Sequence, residues 1–322
     1  MAEIFVYIPH KDGVADDAAL EMVAAARKID AEAPLTALVV GDGADLDKVC
    51  EQAAAACAKV WKVSGEAFAY PNAEVIRKML VNILPDKAVV LVAHDTFGMD
   101  LSPGLSIKLD VPFLSDVVDI EALEGSSLKI VRQEYGGAVS TRVSCDIGDG
   151  VVINVRPGAF KAEDAAGAAG EVVDKSAEAG DLSCGRRFLE VVEAEVGDVD
   201  ITKADVLVSI GRGIEDEENI EIAEELAEAI GAVVSCSRPI VDAKWMEKSR
   251  QVGTSGQTVK PKVYMALGIS GSFQHLGGLK GSPFIIAVNK NPKAPIFQVA
   301  DVGVVDDILE FVPELTEKIQ EM

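Results

Sequence analysis

Apolar positions along the first hundred residues fall into two alternating patterns. Short, largely apolar runs at 3–8 (EIFVYI), 35–42 (LTALVVGD), 58–63 (AKVWKV) and 88–95 (AVVLVAHD) predict strands. Between them, 16–28, 44–56 and 72–84 carry apolar residues at helical spacing, as in Ala19, Met22, Val23 and Ala26 or Leu46, Val49, Cys50 and Ala53. The 88–95 run has no polar alternation, as expected where both faces of a strand are covered. Strands alternating with helices in this way imply a parallel sheet.

The rhythm changes after about residue 112. SLKIVRQEY, AVSTRVSCDIG and GVVINVRPG follow one another with little helix between them, and read as an antiparallel extension of the first sheet. Residues 161–181, rich in Ala, Gly and acids with weak periodicity, read as a linker, although FLEVVEAEVGD just beyond them could still pair with the first domain. Near 200 a second series begins. Strands are predicted at 204–211, 232–238, 262–270, 284–291 and 295–301, with an acidic helix at 216–230 and a closing helix at 304–320. The expectation is an α/β protein of two parallel-sheet, Rossmann-like doubly wound domains, 1–198 with a β-strand extension and 199–322.

The 322-residue length suits two domains, and with only 5% aromatics the cores must be built from Val, Ile, Leu and Ala. A formal net charge of −23 argues against nucleic-acid and anionic-membrane partners. Cys50, Cys57, Cys145, Cys184 and Cys236 are scattered and lack CxxC spacing, which fits reduced thiols and no metal site. The opening MAEIFVYIPH enters a strand at once without a basic leader, and no apolar run approaches a membrane span. These features lead to the expectation of a cytoplasmic protein that does not insert into membranes.

In open α/β sheets ligands sit beyond the carboxyl ends of the strands. In the second half those ends carry Gly211-Arg212-Gly213, Ser237-Arg238-Pro239, Ser270-Gly271-Ser272 and Asn289-Lys290, and QVGTSGQ (251–257) lies between two of the strands. Gly-rich turns allow close backbone approach, and two arginines supply positive charge in an acidic chain. Each loop alone is ordinary turn chemistry. Together they point to a nucleotide or dinucleotide. Neither a GxGxxG at a first βα turn nor a Walker A motif is present.

The stretch QVGTSGQTVKPKVYMALGISGSFQHLGGLKGS, followed by AVNKNPKAPIFQVADVGVVDD, closely resembles the α subunit of electron transfer flavoprotein. FGMDLSPGLSIKLDVPFLSDVVDI (97–120) is similar to it less distinctively. The resemblance implies FAD in the C-terminal domain and a heterodimer in which the first domain packs on a β subunit. It implies a flavin ring near Arg238, Ser255 and His275, with Ser237, Val252, Gly253 and Thr254 lining the same loops. Ser270, Gly271, Ser272, Phe273 and Gln274 would wrap the ribityl chain and pyrophosphate, and Asn289, Asp307 and Arg212 would complete the site toward the adenosine. Where the family often has Gln then Thr in its VG-x-x-G loop, this chain has Thr254-Ser255, which keeps the hydroxyl but shortens one contact.

Reduced flavin is anionic near N1 and the C2 carbonyl, so a donor or positive charge there is useful. His275 is expected to hydrogen-bond C2=O and to carry charge near neutral pH, Arg238 to favour the anionic flavin, and Ser255 to donate at N5 or O4. Taken alone, a histidine after a strand is an ordinary structural residue, and His10 and His94 are read that way. The resemblance further implies an electron carrier with a mobile FAD domain. Such a carrier takes electrons from a dehydrogenase, typically an acyl-CoA dehydrogenase of fatty-acid β-oxidation, and passes them to a membrane quinone oxidoreductase. An alternative is a subunit of a bifurcating complex that oxidises NADH and reduces ferredoxin and a second acceptor.

Overall fold

The computed structural model describes residues 3–16, 18–135, 139–161, 170–190, 199–281 and 283–321. It divides into two compact units, Met1–Glu190 and Val191–Met322.

In the first unit, strands β1 (Ile4–Tyr7), β4 (Leu35–Gly41), β5 (Lys59–Ser64), β6 (Val89–Ala93) and β7 (Phe113–Glu124) join β8 (Ser127–Glu134), β9 (Val139–Asp146), β10 (Val151–Val155) and β11 (Glu171–Asp174) in a nine-stranded sheet. A two-residue hairpin, β2 (His10–Lys11) with β3 (Val14–Ala15), follows β1. The sheet order is β11-β5-β4-β1-β6-β10-β7-β8-β9. Strands from β11 through β7 are parallel, while β8 and β9 continue antiparallel. Residues alternate between two cores. Ile4 and Val6 face one side with α1 (Ala18–Ile29) and α2 (Leu46–Ala54). Phe5 and Tyr7 face the other, with α3 (Ala73–Ile83) and α4 (Thr96–Leu109). Asn72 caps α3, and Asp95 caps α4 by accepting from Gly98 N at 2.7 Å.

Two expectations are corrected here. GVVINVRPG is not part of the antiparallel extension: β10 lies inside the parallel region, between β6 and β7. Every residue of Val151–Val155 is buried, and a strand apolar on both faces needs cover on both faces, whereas β9 alternates exposed and half-buried positions. The 161–181 segment is not simply a linker. Its residues 162–169 lie outside the described ones, but Glu171–Asp174 adds an edge strand beside β5, and Ala179 is buried in the core under α3. Helix α4 had no clear periodic signal because Gly98, Pro103, Gly104 and two serines interrupt it.

The second unit holds five parallel strands, β12 (Val206–Ile210), β13 (Val233–Cys236), β14 (Val263–Leu267), β15 (Phe284–Val288) and β16 (Val302–Val304), in the order β13-β12-β14-β15-β16. Helices α5 (Ile220–Ile230) and α8 (Ile308–Gln320) cover one face, and α6 (Arg238–Asp242) and α7 (Phe273–Leu276) are short turns at strand ends. The strand expected at 295–301 is instead a 3₁₀ turn, Pro295–Gln298, and the strand follows it at 302–304. Pro295 has no N–H to give a ladder, so the apolar PIF run turns rather than pairs. β12 lies between β13 and β14, so the chain reverses direction across the sheet there and leaves a crevice.

Asn154, on β10, is fully buried, and neither end of its amide has a hydrogen-bond partner among the described residues. An unsatisfied buried amide costs about 1–3 kcal/mol, and an apolar group of similar shape removes that cost. Asn154→Leu is therefore expected to stabilise the protein by about 1 kcal/mol or more, read as a higher midpoint of urea unfolding. A lower midpoint would show that the amide is in fact bonded.

Candidate functional site

The two units treat their switch points differently. In the first, Tyr7 at the end of β1 stacks on Phe97 just beyond β6, ring centroids 5.5 Å apart at 28°. The nearby histidines are tied into the structure. His10 Nε2 donates to the Val40 carbonyl at 2.9 Å, and His94 lies 3.8 Å from Asp116, which Arg156 holds with two bonds of 2.7 Å. In the second unit the switch point opens into a cavity of about 600 Å³.

Its floor is backbone. Gly211 N donates to Leu267 O at 2.9 Å and Gly213 N to Gly268 O at 3.1 Å, joining the exits of β12 and β14. A Cβ on Gly213 would sit 2.6 Å from the Gly268 Cα, so this approach requires glycine on both sides. The 251–257 loop is tied down at two points: Val252 N donates to Cys236 O (2.9 Å) and Thr254 N to Gln274 O (2.8 Å). Gln251 Nε2 donates to Ser255 Oγ at 2.9 Å. On α6, Arg238 Nε pairs with Asp242 Oδ2 at 3.3 Å.

Most of the residues singled out from the sequence meet here. Arg212, Ser237, Arg238, Val252, Gly253, Thr254 and Ser255 line the cavity, and so do Ser270, Ser272, Gln274, His275 and Asn289. Three do not line it. Gly271, at φ +80°, packs against the 295–298 turn, where a Cβ would meet Ile296 N at 2.4 Å. Phe273 is half exposed on α7. Asp307 caps α8 by accepting from Leu309 N and pairs with Lys290 at 2.9 Å, while Lys290 also reaches Glu215 at 2.6 Å. Asn289 organises backbone, donating to Ile269 O and accepting from Asn291 N, both at 2.9 Å. Sequence reasoning missed Gln251, Asp242, Gly268 and Ile269 as lining residues, and named Gly213 and Pro239 only at strand ends. The signals for the first two were present: Gln251 opens the QVGTSGQ loop, and Asp242 stands four residues after Arg238, the spacing of a helical ion pair.

Comparison with known proteins bears on what this cavity holds. A family profile described as electron transfer flavoprotein FAD-binding domain matches residues 200–280, and one described as electron transfer flavoprotein domain matches 4–179. An electron transfer flavoprotein subunit alpha of Mycobacterium tuberculosis is 36% identical, over 99% of this chain and 99% of its own length. A mitochondrial counterpart of Cryptococcus neoformans var. grubii is 34% identical, over 99% of this chain and 92% of its own. The chain belongs to the electron transfer flavoprotein α-subunit family.

As a member of that family it uses FAD as its cofactor, and the FAD-binding match lies on the unit that carries the cavity. The residues present fit a flavin nucleotide. Backbone and hydroxyl groups dominate the wall, Arg212 and Arg238 bring positive charge, and one buried polar atom, His275 Nδ1, has no partner in bonding geometry among the described residues. The cytoplasmic placement is corrected: the Cryptococcus relatives are named as mitochondrial. Unpaired thiols and an acidic surface suit any reducing compartment, so composition does not choose among them. Among the described residues no helix is long and apolar enough to cross a membrane, and none form a metal cluster.

The family's histidine position behaves differently here from the expected charged group. His275 is only 6% exposed, and burial draws its pKa down to about 4, against a smaller upward pull from the Val252 backbone. The ring is neutral at pH 7. Cys236, next to the site, is buried with its thiol pushed up to about 12, which makes it an inert packing group.

The depressed pKa makes a stability prediction. The unfolded ring, with its pKa near 6.5, binds a proton that the folded ring refuses until about pH 4. Stability of the flavin-stripped protein is thus full above about pH 6.5 and falls as pH drops toward 4, by about 3 kcal/mol in total from this group. His94, also lowered by burial, adds a slope of the same sign. The difference between wild type and His275→Gln across pH 4–6.5 isolates the His275 share, and parallel curves for the two proteins would contradict it.

Proposed function

We propose that the chain is the FAD-bearing subunit of a heterodimeric electron carrier. The domain 1–198 packs on a β subunit and 199–322 carries the flavin. Electrons arrive from a dehydrogenase of the acyl-CoA class and leave to a membrane-bound quinone oxidoreductase. The observation that carries this reading is the cavity at the switch point of the second sheet, lined by twelve of the fifteen residues that the family motifs single out. FAD, when bound, supplies one- and two-electron redox chemistry.

The chain's own residues supply position and electrostatics. Arg212 and Arg238 place positive charge in a protein of net −23, where the anionic reduced cofactor needs it. Asp242 fixes Arg238 through the i,i+4 pair. Gln251 occupies a lone pair of Ser255 Oγ and leaves its O–H free to donate into the cavity. Among the described lining residues the one imidazole is His275, and its Nε2 is engaged by Tyr264 at 2.7 Å. A neutral ring held in that way is suited to donating a hydrogen bond, not to proton abstraction from a substrate. This favours a carrier over a catalyst in its own right.

A second reading has one specific observation behind it. The subunit LctC of a lactate dehydrogenase (NAD(+),ferredoxin) from Acetobacterium woodii is 31% identical, over 98% of this chain and 77% of its own length. In that reading the chain serves a bifurcating complex that oxidises NADH and reduces ferredoxin, with a further FAD on the β subunit.

The two readings separate on the heterodimer co-purified with its β subunit. Extracted FAD is counted per αβ pair, and NADH is then added without oxygen while flavin absorbance is followed. The carrier reading expects one FAD and no bleaching by NADH, with bleaching by an acyl-CoA plus its dehydrogenase. Two FAD and rapid bleaching by NADH would replace it with the bifurcating class.

A further inference from the structure

Beneath the cavity a phenol meets an imidazole. Tyr264, fully buried on β14, has its hydroxyl 2.7 Å from His275 Nε2, inside the core on the face away from α5 and α8. The other ring nitrogen, Nδ1, is buried and makes no hydrogen bond of ordinary geometry among the described residues, while the Val252 backbone carbonyl lies close enough to the ring to pull its pKa upward. His275 lines the cavity, so with Nε2 taken from below, Nδ1 is the atom left for a ligand.

We propose that Tyr264 is a positioning residue that fixes His275 as its Nδ1–H tautomer, so that the ring presents a neutral N–H donor to whatever fills the cavity. A tyrosine hydroxyl can donate or accept, whereas each nitrogen of a neutral imidazole does only one of these. If Nε2–H donated to Tyr264, the phenol proton would have to pass to the buried Ser209 hydroxyl beside it, and Nδ1 would be a bare lone pair. If Tyr264 donates to Nε2, its oxygen is left to accept from Ser209, and all three groups are satisfied. The distance agrees, because 2.7 Å is typical of an O–H donor and short for N–H···O. The hydrogen bond at one ring nitrogen then sets the proton at the other. A neutral histidine without such a partner favours Nε2–H, which would turn an acceptor toward the cavity.

The consequence for flavin rests on the proposed placement of the isoalloxazine beside His275. An N–H facing the pyrimidine edge favours the reduced, more negative cofactor, and a lone pair there disfavours it.

The test uses the co-purified heterodimer. In ¹⁵N-histidine-labelled protein, the His275 signals, assigned by their loss in His275→Gln, are expected to show a protonated Nδ1 and a bare Nε2. A protonated Nε2 with a bare Nδ1 overturns the proposal, and this reading needs no variant at Tyr264. A double-mutant cycle on the flavin midpoint potential supplies the second readout. Tyr264→Phe is expected to keep FAD bound but to weaken the preference for reduced over oxidised flavin about tenfold, a fall of about 59 mV for one electron. In a His275→Gln background the same substitution is expected to do nothing. An equal shift in both backgrounds would mean that Tyr264 acts by packing alone, and overturns the proposal. If Nδ1 is protonated yet His275→Gln leaves FAD content and potential unchanged, the tautomer assignment stands and the placement of the flavin ring fails.

Discussion

The floor of the cavity depends on two stretches of backbone touching where side chains would forbid it. Gly213 and Gly268 meet across the exits of β12 and β14, with Gly213 N bonded to Gly268 O at 3.1 Å and no room for a Cβ on either residue. That contact pins the turns after two adjacent strands at the point where the sheet order reverses. The 251–257 loop, tied to Cys236 and Gln274, then closes over the same place. The hydroxyls, arginines and His275 act only because this scaffold brings them to one opening.

The first unit shows what the same layout does without that floor. Its strand order also reverses, between the parallel strands β1 and β6, but Tyr7 and Phe97 stack at that point. One chain thus carries two switch points, one with stacked aromatic rings and one that opens into a cavity. Charge follows the same division of labour. Acidic side chains dominate the protein, while Arg212 and Arg238 stand at the cavity and Lys290 is bound between Glu215 and Asp307 beside it. His275 contributes no charge there, because burial outweighs any gain from protonation.

Much of this was legible in the residues. Short apolar runs such as 35–42 and 88–95 marked buried parallel strands because they lack polar alternation, and loops at successive strand ends marked the cavity. Other features were not legible, for identifiable reasons. GVVINVRPG reads the same in either direction of pairing, and only its complete burial places it inside the parallel sheet. Helix α4 hides its period behind Gly and Pro, and APIF hides a turn behind apolar residues. At the site, motif positions gave the lining but not the charge state of His275, which depends on desolvation and, less, on the Val252 backbone. Asp307 carries a motif position yet serves as a helix cap and ion-pair partner of Lys290.

The central claim is that FAD occupies the cavity at the switch point of the second sheet. Amide hydrogen exchange of the flavin-stripped heterodimer, with and without added FAD, tests it most directly. The account predicts slowed exchange in residues 251–257 and 268–276, which wall the cavity, and unchanged exchange at the ends of β1 and β6. Protection at those strand ends in the first unit, with none in the 251–257 loop, would contradict it.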